Sequence, residues 1–168
     1  MNKKILVAIH SGFTDTPAIQ RATALANTTD VDIKLYSAVY DEYIPNIDVA
    51  VDDIEKTHEL MLDSEKTKLK KIKNRLENIA KSVEIEAEWQ RSVADGISDA
   101  AKKFNADLIM VSSTRHSTLS RLFLSNTDWE ILRHVPLPVL FAHNHEDKPY
   151  QKVIVAVKPA HRDDEPTK

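Results

Sequence analysis

The sequence predicts an α/β protein built on a parallel sheet with helices on both faces. Short apolar runs rich in β-branched residues alternate along the chain with longer segments of helical periodicity. The first run, Ile5–Ile9, is apolar throughout, which is typical of a strand buried on both faces of a parallel sheet. At 168 residues, 42% of them hydrophobic, the chain suits one domain with a real core. Repeated strand–helix alternation predicts a doubly wound, five-stranded parallel sheet with right-handed crossovers.

The first half of the chain supplies two strands and two helices. After Ile5–Ile9, either Thr14 or Asp15 is expected to cap a helix whose first turn contains Pro17. The second strand is predicted over Val31–Val39, and an irregular segment with a proline follows it. A long charged helix is then predicted over about residues 53–81, and its lysines and glutamates are interpreted as a solvated face.

The second half continues the alternation. Val83–Trp89 alternates between apolar residues and glutamates, which predicts an edge strand with one wet face. Ser92 or Asp95 is expected to begin a short helix. The remaining predicted elements are a buried strand over Leu108–Val111, a polar loop over Ser112–Thr118, a helix over Thr127–His134 and a fifth strand over Val139–Ala142.

Composition excludes several classes of protein. The net charge of −3 gives no broad positive field for nucleic acid, and no apolar run is long enough to cross a bilayer, so we expect a cytoplasmic protein. With no cysteine, the chain has no disulfide or thiolate zinc site. Only two glycines are present, which rules out a P-loop, a dinucleotide-binding fingerprint and a Gly-x-Ser-x-Gly nucleophile elbow.

The end of the chain repeats its beginning. Lys4–Ile9 (KILVAI) is similar to Lys152–Val157 (KVIVAV), and each run is followed by a polar segment that ends in proline. Because the similarity extends beyond the strand, it favours duplication over chance likeness between two Val/Ile-rich strands. We therefore predict a domain over residues 1–145, followed by a linker and the first strand of a truncated second copy over residues 146–168.

Four segments resemble the universal stress protein family: Lys4–Ile9, Asp107–Val111, Leu119–Leu124 and Thr127–Leu140, the last containing Leu-Arg-His-Val-Pro-Leu-Pro-Val. The resemblance covers about residues 3–143, and the Thr127-Asp128-Trp129 segment is similar to the tandem type of the family. It implies the strand order 3-2-1-4-5. It also implies that domains pair through the fifth strand, here Val139–Ala142, with a second domain or in a homodimer.

The nucleotide-binding signature of that family is altered in this chain. Nucleotide-binding members carry an Asp after strand one, then Gly-x-x-Gly, a spacer and Gly-Ser/Thr after strand four. The matching positions here, together with Val39 in the same crevice, are candidate but degenerate site residues: His10, Val39, Ser112, Arg115, Ser125 and Asn126. Ser112, Arg115 and Ser125 stand at the three glycine positions. Since glycine permits close approach of the backbone to phosphates, a Cβ at these three positions obstructs such contacts. Side chains of the polar loop, with Arg115, could still bind an anion.

Other candidate functional residues have less support from the sequence. The run His143–Asp147 (HNHED) is interpreted as a hydrophilic connection rather than a metal site. His58 and His134 are expected to be surface or satisfied core residues, and Trp89 and Trp129 are expected to be packing residues. No catalytic constellation emerges from the sequence.

These observations predict a non-catalytic stress-response module that acts by domain pairing or dimerisation, needs no cofactor or metal, and binds neither nucleic acid nor membrane. Two alternatives remain open. One is an ATP- or AMP-binding protein like the glycine-bearing members of the family. The other is a carrier that holds a small molecule or lipid in the crevice near His10, Val39 and Ser112.

Overall fold

The computed structural model describes residues 3–10, 13–39, 51–112 and 126–143, with backbone alone for residues 51–54 and 126–128. Five strands form one parallel sheet: β1 (Lys3–Ala8), β2 (Val31–Val39), β3 (Ser82–Trp89), β4 (Leu108–Ser112) and β5 (Val139–Ala142). Their order is β3-β2-β1-β4-β5. This confirms the predicted fold class, the strand order and the edge position of β3. The repeated strand at Lys152–Val157, and with it the predicted second copy, lies outside the described residues.

Four helices connect the strands: α1 (Pro17–Ala26), α2 (Val51–Leu76), α3 (Val93–Phe104) and α4 (Asn126–His134). Thr16 caps α1, since its side chain accepts a hydrogen bond from the Ile19 N–H. The predicted caps Thr14 and Asp15 are therefore wrong, and the cap lies directly before Pro17. Ser92 caps α3 as predicted, accepting from the Asp95 N–H.

The long helix α2 ends five residues earlier than the predicted boundary near Lys81. After Leu76 the chain turns, and the Lys81 N–H bonds to the Val31 carbonyl at 3.0 Å, which leads the backbone into β3. Ala80 stays buried although it is no longer helical. The apolar stripe thus continues beyond the end of the helix. For that reason the periodicity of the sequence overestimated the length of α2.

Each face of the sheet carries its own apolar cluster. On one face, α1 and α2 cover alternate strand residues such as Ile5, Val7 and Ile33. On the other, α3 and α4 cover Leu6, Ile109 and their neighbours. Burial on both faces explains why β1 reads as a continuous apolar run. In the part of the chain that the structure describes, no helix is both long and apolar enough to cross a membrane.

Candidate functional site

The carboxyl ends of β1, β2 and β4 meet at one edge of the sheet. Ala8 of β1 is in register with Tyr36 of β2 and with Val111 of β4. The Ile9 N–H extends this pairing by bonding to the Tyr36 carbonyl at 2.8 Å. Val39 and Ser112 are the last residues of β2 and β4, and His10 lies two residues after β1, so all three predicted residues lie at this edge. Ligands of doubly wound sheets bind at such an edge, near the switch in strand order.

Two of these residues offer little to a ligand. His10 is exposed, and its ring stacks on the Phe13 ring with 5.7 Å between centroids. Its carbonyl accepts from the Phe13 N–H at 3.2 Å, so the backbone turns away from the strand here. Val39 is buried and apolar, and its carbonyl accepts from the Gln90 N–H.

Ser112 contacts the start of α1. Its hydroxyl oxygen accepts a hydrogen bond from the Ala18 N–H at 3.0 Å. Helix N-termini leave backbone N–H groups free to bind anions. In α1, Pro17 has no N–H, Ser112 takes the N–H of Ala18, and Thr16 takes that of Ile19. The positive end of α1 is therefore already occupied by side chains of the protein itself.

The remaining candidates are Arg115, Ser125 and Asn126. Asn126 is the first residue of α4 and is described by its backbone alone. Arg115 and Ser125 lie outside the described residues, as does the rest of the predicted polar loop. The site assignment through these three positions remains a prediction.

His58 and Trp89 form a contact that the sequence did not indicate. The His58 ring, on α2, stacks on the Trp89 ring at the end of β3, with 3.8 Å between centroids. The Nε2 atom of His58 is buried and has no hydrogen-bond partner in the described structure. Trp89 is thus a packing residue, as expected, but His58 is neither a free surface residue nor a satisfied core residue. His134 is exposed, and its Nδ1 lies 2.8 Å from the Glu130 carbonyl oxygen.

A buried carboxylate lies beneath the carboxyl half of β2. Glu65 of α2 is 2% exposed and accepts hydrogen bonds from the Ser37 hydroxyl at 3.0 Å and from Lys68 Nζ at 3.2 Å. A buried charge needs such partners to offset its loss of hydration. The group fixes α2 to the sheet. It was missed because it was counted with the solvated charges, although Leu62, Glu65 and Leu69 share one helical stripe.

A second buried polar group lies on the opposite face. The Tyr36 hydroxyl is buried without a hydrogen-bond partner in the described part of the chain. Burial raises the pKa of Tyr36 far above its ordinary value of 10.0, and the negative charges of Glu88 and Glu86 raise it further. The phenol therefore stays neutral and acts as a packing group.

A shallow groove lies between α1 and the end of α2. It encloses about 260 Å³ and is lined by Asp15, Ile19, Gln20, Thr23, Arg75 and Leu76. Arg75 is engaged there with the Thr14 carbonyl, and Gln20 with the Asp15 carboxylate. Among the described residues no group of three His, Asp or Glu side chains is arranged to hold a metal. His143 is described and exposed, but the rest of the predicted His143–Asp147 run lies outside the description.

Comparison with known proteins identifies the family. The model of the universal stress protein family matches residues 1–143. This chain belongs to the universal stress protein family. The resemblance predicted from the sequence is thereby confirmed over the same part of the chain.

The curated relatives are named universal stress protein E or a homolog of it. This universal stress domain is 24% identical over 160 residues to the universal stress protein E homolog of Haemophilus influenzae, covering 92% of this chain and 52% of the relative. It is also 24% identical over 161 residues to universal stress protein E of Escherichia coli K12, covering 94% of this chain and 50% of the relative. The chain therefore spans about half the length of the curated relatives it matches.

Solved structures share the fold. A putative universal stress protein from Pseudomonas aeruginosa superposes with a TM-score of 0.59 at 21% identity, covering 83% of this chain and 43% of the other. A universal stress protein solved in complex with cAMP gives 0.52 at 16% identity, covering 84% and 97%. The universal stress protein of Archaeoglobus fulgidus in complex with dAMP gives 0.52 at 15% identity, covering 83% and 96%.

Proposed function

We propose that this chain is a non-catalytic, cytoplasmic stress-response domain that acts by pairing with a second universal stress domain through the outer edge of β5. The observation that carries the proposal is the contrast between the two edges of the sheet. Edge strands present unpaired backbone groups, and proteins normally protect them with charged residues.

The β3 edge is protected in this way. Glu84, Glu86 and Glu88 alternate along it, and Lys34 and Lys103 form ion pairs with them. The β5 edge consists of Val139, Leu140, Phe141 and Ala142 and carries no charge. The first three of these side chains are half-buried rather than covered. An uncharged, apolar edge strand favours pairing with another chain.

The free N–H groups at the start of α1 already donate hydrogen bonds to side chains of the protein, which supports the non-catalytic part of the proposal. A phosphate at this helix end would have to displace the Ser112 hydroxyl from the Ala18 N–H, which it contacts at 3.0 Å. His10 stands where nucleotide-binding relatives carry an Asp and is stacked on Phe13. This arrangement supports a degenerate nucleotide site and a function through association.

Sedimentation velocity over a range of protein concentrations tests the proposal. We expect a dimer that Leu140→Lys dissociates, because a charge in the paired edge has to be desolvated. Glu84→Gln on the opposite edge is the matched control and is expected to leave the dimer intact. Circular dichroism melting verifies that each variant is folded. A wild-type chain that stays monomeric at every concentration would reject pairing.

Nucleotide binding is the second candidate, and the relatives solved with cAMP and dAMP favour it. Those structures are too distant in sequence to transfer the ligand directly. If this chain binds ATP, millimolar ATP with magnesium raises its melting temperature by mass action. The degenerate-site proposal predicts an unchanged melting temperature, and a concentration-dependent rise would replace it with nucleotide binding.

A further inference from the structure

We infer that one flank of α2 binds the same flank of a second copy of this chain, with the two helices antiparallel and joined by ion pairs. This surface lies apart from β5, so the contact goes beyond the proposed function and does not depend on it. Half of the 26 residues of α2 are charged. Solvation explains the presence of these charges but not the order in which one stripe of them is arranged.

Six charged residues form this stripe and are segregated by sign along α2. Successive members are three or four residues apart, a spacing that puts side chains on one side of a helix. The first three are acidic and the last three are basic: Glu55, Glu59, Asp63, Lys66, Lys70 and Lys73. Lys73 is half-buried, and the other five are exposed. The stripe extends about 27 Å along the helix axis.

The order of charges in the stripe does not stabilise α2 itself. Like charges four residues apart, such as Glu55 with Glu59 and Lys66 with Lys70, destabilise a helix. The helix macrodipole favours acidic residues at the start and basic residues at the end, but its effect is confined to the first and last turns. Glu59, Asp63 and Lys66 lie in the middle turns of α2. Neither effect therefore explains the segregated order.

Most of the stripe has no ion-pair partner within the described part of the chain. Of its six members, only Lys73 forms an ion pair with a described residue, Glu77, at 3.2 Å. Elsewhere on α2, Lys68 pairs with the buried Glu65 on the side that faces the sheet. The carboxylates of the stripe, together with Lys66 and Lys70, are thus available to a partner molecule.

The stripe lies on the outer flank of α2. The buried residues Leu69, Ile72 and Leu76 face the sheet, and the stripe is rotated from them by about 100° around the helix. Arg75 is rotated in the opposite sense and reaches the Thr14 carbonyl, which precedes α1. Helix α1 packs on β1, β4 and β5, whereas α2 packs on β2 and β3. The stripe therefore faces away from α1, at the outer margin of the described structure.

Two-fold symmetry makes the stripe complementary to itself. Its midpoint lies between Ser64 and Glu65. A two-fold axis through this point, perpendicular to the helix, makes the two copies of α2 antiparallel and repeats each contact twice. The residues that then oppose one another are Glu55 and Lys73, Glu59 and Lys70, and Asp63 and Lys66. Because every opposed pair joins an acid to a base, a second copy of this chain fits the stripe as its occupant.

The electrostatic character of the contact determines its response to salt. The stripe contains no large apolar side chain, and exposed ion pairs are individually weak. Interactions between exposed charges are screened beyond about 10 Å in 0.1 M salt. Association through α2 is therefore expected at low ionic strength and is lost at high ionic strength. Pairing through the uncharged β5 edge is expected to persist under both conditions.

Sedimentation velocity of full-length variants tests the charge order. Each chain also carries Leu140→Lys, which removes the proposed β5 pairing, so that only the α2 contact is measured. Glu59→Lys and Lys70→Glu each place like charges opposite one another, and each is expected to raise the dissociation constant at low salt at least about tenfold. An equimolar mixture of these two variants is expected to associate again, because each contact between positions 59 and 70 then joins a lysine to a glutamate.

Lys71→Glu is the matched control. Lys71 is exposed beside Lys70 but lies outside the stripe, and its reversal changes the net charge by the same amount. This variant is expected to associate like its parent chain. All of the substituted α2 side chains are exposed, and circular dichroism melting verifies that each variant is folded. If Leu140→Lys lowers the melting temperature, the same reversals are compared in wild type, where they are expected to remove the species larger than the β5 dimer.

The outcomes separate the α2 contact from the proposed function. Reversals without effect, or a mixture that fails to associate, would overturn the α2 contact, and a wild-type dimer that persists at high salt would still support pairing through β5. A wild-type chain that is monomeric at high salt and dimeric at low salt, and that Glu59→Lys dissociates, would reject β5 pairing and support the α2 contact. A wild-type chain that stays monomeric at every salt concentration would overturn both.

Discussion

At the scale of single residues, the approach of α3 to the sheet depends on Gly96. A Cβ built at Gly96 would lie 2.3 Å from the Tyr36 hydroxyl oxygen and 2.8 Å from Gln90 Cγ. The first distance is far below van der Waals contact, and Tyr36 is fully buried, so its ring has no space in which to move. Close packing therefore requires glycine at this position, although alanine would favour the helix.

A double-mutant cycle tests this contact. Gly96→Ala is expected to lower the free energy of unfolding by about 1–3 kcal/mol, the usual cost of overpacking. Tyr36→Phe alone is expected to cost less than about 1 kcal/mol or to stabilise, because the hydroxyl it removes is buried and unpaired. In the Tyr36→Phe background the cost of Gly96→Ala should shrink, as measured by urea denaturation. An equal cost in both backgrounds would contradict the assignment.

Two single residues, the cap of α1 and Glu65, could not be assigned correctly from the sequence. The cap of α1 was assigned to Thr14 or Asp15, but three consecutive polar residues precede Pro17, and each is an acceptable cap by type. Glu65 was assigned to the solvated face because most charges on α2 are there. Only the fold brings the Ser37 hydroxyl within 3.0 Å of that carboxylate. Such pairings depend on tertiary distances that local patterns do not contain.

At the scale of elements, β2 and β3 are joined by an ion pair as well as by their backbones. Lys34 Nζ lies 2.8 Å from Glu86 and 3.4 Å from Glu84. Burial would lower the pKa of Lys34, but the hydrogen bonds and charges of Glu86 and Glu84 outweigh it and raise that pKa above 10.5. Burial would likewise raise the pKa of Glu86, but the hydrogen bond from Lys34 outweighs it and holds that pKa below 4.5.

The sign of the pH dependence follows from these shifts. Because the pKa of Glu86 is depressed by folding, its contribution to stability is complete above pH 4.5 and is lost as the pH falls through the folded pKa. The contribution of Lys34 is complete below pH 10.5 and is lost as the pH rises through the raised pKa. The pair therefore stabilises the fold across the neutral range.

Glu86→Gln is expected to lower the free energy of unfolding at pH 7 by about 1 kcal/mol, and the difference from wild type should fade in acid below pH 4.5. Glu84→Gln is the matched control, since Glu84 contacts the same lysine from a more exposed position. Glu84→Gln should lower the free energy of unfolding by less than Glu86→Gln does. Urea denaturation at several pH values measures both. A difference that persists undiminished in acid would contradict the electrostatic explanation.

Elements were predicted well where one physical signal decided them. The bounds of β2 and β5 were predicted to the residue, because β2 alternates in part between apolar and polar residues and the apolar run of β5 begins directly after Pro138. The end of α2 was not, since Ile79 and Ala80 continue its apolar stripe after the backbone has left the helix. Trp129 was expected to be a packing residue, but it is 50% exposed. A tryptophan at helical spacing gives the same sequence pattern in a core and on a surface.

At the scale of the whole molecule, the sheet has one charged edge and one apolar edge. The charged residues of β3 discourage edge pairing, whereas β5 carries no charge, and the proposed function places the pairing there. The chain spans about half the length of its curated relatives, and that length supports the proposal of a second domain as partner. The site end of the sheet, with Ser112 bonded to α1, contributes structure rather than chemistry in this proposal.

Hydrogen exchange of the β5 backbone tests the pairing most directly. Alternate amides of Val139–Ala142 point away from β4 and have no strand partner among the residues that the structure describes. We predict that exchange of these outward amides slows as protein concentration rises, while exchange at the β3 edge stays constant. Exchange rates in β5 that remain unchanged from micromolar to millimolar protein would contradict the proposal.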